Sequence, residues 1–131
     1  MAKTLTKTSG SLTSGSVSAG SSANAVFDLS AKDGALITAR ITNGATGPTV
    51  QCNGIVLVAH KQASVPAGAA EGAGDSDWKY FASFSPGTGN NATARWSYAF
   101  GPEVYAVQVR FQDHTGQAIT AEAHATDLVY S

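Results

Sequence analysis

His60, His114 and His124, the single Cys52 and nine Asp and Glu residues are what this 131-residue chain offers for chemistry. A metal site shows in sequence as ligand pairs such as HxH, HxxxH or CxxC. No two of these histidines stand at such a spacing, and one cysteine makes neither a thiolate cluster nor an intrachain disulfide. Asp75-Ser76-Asp77 resembles the opening of a calcium loop, but its twelfth position is Pro86, where a bidentate Glu is needed. Calcium held by ligands from several loops would leave no local pattern, so that alternative stays open. Gly72-Ala73-Gly74 has the composition of a phosphate loop without the GxxxxGK[ST] pattern or the strand–helix setting. A nucleophile elbow, G-x-S-x-G, is absent. Asn91-Ala92-Thr93 matches the glycosylation sequon, which matters only in an exported chain. No catalytic, cofactor-binding or metal-ligating residue is therefore assigned, and the chain is read as a non-enzyme without a cofactor.

The aromatic residues leave two readings. Trp78, Tyr80, Trp96 and Tyr98 could form a platform for sugars or bases, or they could be core residues of strands with apolar neighbours. The core reading is preferred.

The elements that would position these residues are strands. Ala25–Leu29, Ala35–Thr42, Val50–His60, Trp78–Phe84 and Ala94–Phe100 carry apolar residues with strand character, separated by Gly, Pro, Asn and Asp clusters. Ile55-Val56-Leu57-Val58 does not alternate, which fits a strand covered on both faces, and Gly54 beside it suggests a bulge. Trp78, Tyr80, Ala82 and Phe84 are expected on one face. Between these strands, residues 62–77 read as a long loop of Ala, Gly and small polar residues.

Pro102 to Leu128 gives the strongest pattern. Tyr105, Val107, Val109 and Phe111 alternate with polar or small residues, as do Ile119, Ala121, Ala123 and Ala125. Read as a β-hairpin, these arms need a three-residue loop, His114-Thr115-Gly116, to keep opposed residues on one face, with Gly116 left-handed. Phe111 would then face Ile119, Val109 Ala121, and Val107 Ala123. Seven or eight short strands and no helical periodicity predict an all-β protein, an antiparallel β-sandwich of jelly-roll type.

Residues 4–22 differ in kind, since 14 of these 19 positions are Ser, Thr or Gly. They are expected as an extended N-terminal arm, residues 1–24, ahead of a single β-sandwich domain, residues 25–131. The arm is read either as a loose or irregular edge strand or as a segment that docks on a partner. Cys52 is expected to be a small buried hydrophobe on a strand.

Net charge is −1 and charged residues are 13 per cent, so no basic footprint for nucleic acid or an anionic membrane exists. The N-terminal residues MAKTLTKTSGSL lack the apolar run of a leader, and no stretch reaches 18 apolar residues. The chain is expected to be made in a cytoplasm. A surface short of charge and rich in Ser, Thr, Gly and Ala suits contact with protein.

Three segments carry a resemblance: ITNGATGPTVQC (Ile41–Cys52), the Trp78-Lys79-Tyr80 strand, and PEVYAVQVRFQDHTGQAITAEAHATDL (Pro102–Leu128). Together they resemble the small accessory virion proteins of tailed bacteriophages, over residues 35–128. The resemblance implies a β-sandwich with no catalytic residues to carry over. It implies a capsid decoration or cement protein on the outside of the assembled head, tying neighbouring major capsid proteins together. Its partners would be the major capsid protein and further copies of itself, as a dimer or trimer. The alternative is a receptor- or carbohydrate-binding module of a head fibre, tail or baseplate.

Overall fold

The structure is a computed structural model that describes residues 5–46, 50–59, 78–113 and 116–130. Among them are eight strands: β1 (Leu5–Val17), β2 (Ser22–Asp28), β3 (Gly34–Thr42), β4 (Asn53–Ala59), β5 (Trp78–Phe84), β6 (Thr93–Phe100), β7 (Ala106–Gln112) and β8 (Ile119–Tyr130). They form two four-stranded sheets in the orders β1-β8-β3-β6 and β2-β7-β4-β5, with every pair antiparallel. This is the strand order of an eight-stranded jelly roll, two Greek keys closed face to face. The expected fold class is the observed one. No helix among the described residues is long and apolar enough to cross a membrane.

Alternation decides which residues face the core. Ala35, Ile37, Ala39 and Ile41 of β3 are buried, while Leu36 and Thr38 are exposed. The first sheet contributes many small residues, Ala35, Ala39, Ala121, Ala123 and Ala125, and the second contributes Phe27, Val56, Val58, Val107, Val109 and Phe111 to the same core. Small side chains from one sheet and large ones from the other share the space between the layers. Each fully buried Ile, Val or Phe stabilises by about 1.5–3 kcal/mol relative to exposure.

The hairpin expected over Pro102 to Leu128 does not form. β7 pairs with β2 and β4, whereas β8 pairs with β1 and β3, so the two strands lie in different sheets. Phe111 and Ile119 both enter the core but are not cross-strand neighbours. The alternation on both arms is real, yet it is satisfied equally by strands facing each other across a core. Only β4 and β5 are consecutive strands within one sheet; every other connection among the described strands crosses the sandwich. Gly116 does take the left-handed conformation, with φ 76°, in a connection between sheets instead of a hairpin turn.

Residues 5–17 of the Ser/Thr/Gly arm are extended and paired along β8, with a register shift between Ser9 and Leu12. This is the irregular edge strand, and Val17 at its end is buried in the core. β2 opens at Ser22, within the 1–24 stretch set apart by composition.

β5 departs from simple alternation. A register shift against β4 between Val56 and Leu57 turns the strand over. Trp78 packs in a cluster on the outer face with Leu57, Ala59 and Ala106, while Ala82 and Phe84 pack against the core. The four residues expected on one face are therefore divided between two. Gly54 is not the bulge position: it stands opposite Phe84, whose ring occupies the space a Cβ would need. Burial of Val56 and Val58 on one side and Leu57 on the other matches the reading of β4 as covered on both faces.

Candidate functional site

Among the described residues the titratable groups do not converge, and no group of three or more His, Cys, Asp or Glu could hold a metal ion. His124 is half-buried on β8, opposite Thr38, and His60 and His114 lie outside the described residues, as do Gly72-Ala73-Gly74 and Asp75-Ser76-Asp77. On the outer face of the first sheet, Arg40 ion-pairs with Glu122 across β3 and β8. Hydroxyl pairs extend this polar ladder, Thr38 to Ser97 at 3.3 Å and Thr42 to Thr93 at 3.0 Å. Lys32 reaches Asp127 at 3.7 Å. Asp28 accepts hydrogen bonds from the Ser30 hydroxyl at 2.7 Å and the Ser30 N–H at 2.9 Å. These bonds hold its carboxyl below the usual carboxylate range.

Cys52 is buried immediately before β4, not on it. Its thiol donates to Asn43 Oδ1 at 3.3 Å, and burial pushes the thiol pKa up, which keeps it protonated and unreactive. Asn43, also buried, donates through Nδ2 to the carbonyls of Gly87 and Gly89 at 3.0 and 2.9 Å. Ser85 Oγ donates to the Cys52 carbonyl at 2.7 Å. These bonds lock together the segment after β3, the segment before β4 and the β5–β6 turn. A buried amide that bonds segments distant in the chain leaves no local signature in the sequence. Asn91 of the sequon lies in that turn, with φ 54° and its N–H donating to the Gly44 carbonyl at 3.0 Å.

A cleft of about 100 Å³ opens between β1 and β2, over Phe111 and Ala121, beside Gly15, Val17 and Ala23. Its lining is mostly apolar, with Ser16 and Asn24 its polar side chains and none of them titratable. On the outer face of the second sheet, Gln108 and Trp78 are fully buried beside Leu57 and Ala59. Among the described residues, neither the Gln108 amide nor Trp78 Nε1 finds a hydrogen-bond partner.

The exposed aromatic residues gather at the opposite edge of the sandwich from that cleft. β5 and β6 end their sheets on the same side and cannot pair with each other, so side chains close the gap. Phe81, at the turned-over part of β5, packs edge-on against Tyr98 at 4.9 Å and against Trp96 at 6.3 Å, and lies 5.1 Å from Phe100. Trp96 and Tyr98 present near-parallel rings, 13° apart at 6.2 Å, and Phe84 lies parallel to Trp96 at 6.3 Å. Such contacts contribute about 0.5–1.5 kcal/mol each beyond area burial. The outer part of the cluster is open to solvent: Phe81 is 38 per cent exposed and Tyr98 47 per cent. Tyr80, 54 per cent exposed, lies on the neighbouring outer face with its hydroxyl 3.1 Å from Ser83 Oγ. Of the four aromatics named from sequence, Trp78 is core, Tyr80 and Tyr98 are exposed, and Trp96 is half-buried. Phe81 joins them because β5 turns over, which alternation alone did not show.

No protein-family model matches this chain, and no curated protein matches it. Among solved structures the chain is similar to a Yersinia pseudotuberculosis-derived mitogen, at 9 per cent identity and TM-score 0.47, covering 88 per cent of this chain and 83 per cent of that one. It is similar to a family 16 carbohydrate-binding module at 13 per cent identity and TM-score 0.45, covering 88 and 74 per cent. It is also similar to the enzymatically active domain of bacteriophage CBA120 tailspike protein 4, at 13 per cent identity and TM-score 0.43. That match covers 98 per cent of this chain and 19 per cent of the tailspike structure. Identities and scores this low leave the architecture resting on the chain's own strand pairings.

Proposed function

We propose that this chain is a structural virion protein of a tailed phage, a decoration or cement protein that binds the outside of the assembled head. Made in the host cytoplasm, it would act on the capsid surface and tie neighbouring major capsid proteins together. The aromatic edge of β5 and β6 carries this reading. A patch of partly exposed Phe and Tyr rings, on a rigid sandwich with few charges, has the composition of a protein–protein contact. On the outer face of the first sheet Arg40 is already paired with Glu122, Thr38 with Ser97 and Thr42 with Thr93, so these groups tolerate packing against a neighbour. Preferential binding to the closed shell would stabilise it by mass action.

The test is direct. Purified chain is mixed with undecorated heads built from the major capsid protein of the same virus, the particles are pelleted, and the pellet is imaged by cryo-EM. Extra density at icosahedral symmetry positions is expected; protein left in the supernatant, or bound only at the tail, overturns the reading. A second reading, sugar binding, is favoured by the near-parallel rings of Trp96 and Tyr98, since exposed rings accept the apolar faces of pyranoses. It requires glycan-array binding that Trp96→Ala or Tyr98→Ala abolishes in a folded protein.

A further inference from the structure

We infer that the aromatic edge is occupied by a second copy of this chain, joined through antiparallel pairing of β6 with β6 about a two-fold axis at Ser97. This assigns the aromatic edge to a self-contact, leaving the outer faces of the sheets to meet the capsid, and rests on the reading of that edge as a protein contact made above. Four strands end the two sheets: β1, β6, β2 and β5. An edge strand presents unpaired N–H and C=O groups, and proteins blunt such edges with bulges, charges or prolines. β1 and β5 are blunted by register shifts. β2 is unbroken along β7 and carries one charge, Asp28, but it is a residue shorter than β6 and presents no exposed aromatic ring. β6 has none of these protections: it pairs with β3 through eight unbroken positions, contains no proline, and carries one charge, Arg95.

The sequence of β6, Thr-Ala-Arg-Trp-Ser-Tyr-Ala-Phe, is complementary to itself when Ser97 stands opposite Ser97 of the second copy. Directly opposed residues then share a face, as a continuous sheet requires. On the core side Trp96 meets Tyr98, and Ala94 meets Phe100, so ring faces ring and small faces large. On the outer side Arg95 meets Ala99, and the two serines meet on the axis. An axis at Arg95 would instead oppose like charges. Ser97 at the centre keeps the arginines about 14 Å apart along the strands and leaves no ionised group facing another. The pairing would join two four-stranded sheets into one of eight and cover Tyr98 and Phe81, the exposed rings of the edge.

Sedimentation velocity of the purified chain tests this without any capsid present. A species of twice the 13.3 kDa chain mass is expected; a monomer throughout the micromolar range overturns the inference. Ser97→Lys, at an exposed position, should lose the dimer while the chain stays folded, because two ammonium groups meet on the axis; its melting temperature should no longer rise with protein concentration as that of a dimer does. Cysteine variants read the register. Opposed strand residues have Cα atoms about 4.5–5.5 Å apart, within disulfide reach. Ser97→Cys should therefore cross-link on mild oxidation, whereas Arg95→Cys should not. Equal cross-linking at both positions, or none at Ser97→Cys, refutes the arrangement. Cys52 is buried and does not interfere. If the chain is monomeric yet still binds heads, the second-copy inference fails and the virion reading stands. A dimer that ignores heads gives the converse.

Discussion

Gly54 offers a sharp check on how β4 and β5 fit together. It is buried opposite Phe84, and a Cβ there would lie 2.2 Å from Phe84 Cζ and 2.5 and 2.6 Å from Cε1 and Cε2. Gly54→Ala therefore expels the ring, which is half-buried and able to swing outward. The ring then loses its edge contact with Phe111 and its parallel contact with Trp96. At about 0.5–1.5 kcal/mol each, these losses total roughly 1–3 kcal/mol. Replacing glycine in a strand returns about 0.4–1 kcal/mol through the unfolded chain. The expected net cost is roughly 1–2 kcal/mol, measured by urea unfolding followed through tryptophan fluorescence, since Trp96 adjoins the perturbed ring. In a Phe84→Ala background the obstacle is gone, and the same alanine should be neutral or stabilising by about 0.5 kcal/mol. An equal cost in both backgrounds would refute the ring-over-glycine account.

Three further outcomes are expected. Removing residues 1–17 should lower the melting temperature by several degrees, because it strips the β8 edge and takes Val17 from the core; an unchanged transition would mean that β1 adds nothing to the sandwich. Gly116→Val should cost about 1–2 kcal/mol from its left-handed backbone, and Gly116→Asn distinctly less, by denaturant titration; equal costs would locate the effect elsewhere than in φ. Cys52 should resist thiol reagents until the protein unfolds. Its raised pKa makes a contribution that is full below the unfolded thiol pKa and lost as pH rises through the folded value, so alkaline pH should destabilise the wild type more than Cys52→Ala.

Part of this molecule was legible from residue order alone. Alternation in β3, β7 and β8 identified their core faces, because a strand's side-chain period is a local property. The unbroken apolar run of β4 announced burial on both faces, and Gly116 its left-handed turn. Composition marked residues 4–22 as distinct without saying that β8 would receive residues 5–17 as a paired edge strand. Alternation could not choose between β7 and β8 pairing in one sheet and facing each other across the core, since both satisfy the same parity. The register shift that turns β5 over, sending Trp78 outward and setting Phe81 against Trp96 and Tyr98, depends on which strand lies beside it. So does the Asn43–Cys52 junction, whose partners come from segments distant in the chain. Local patterns thus determined that these residues would be strands and which faces would be apolar. The aromatic edge was decided only by tertiary structure, because it arises where the last strands of two different sheets end side by side.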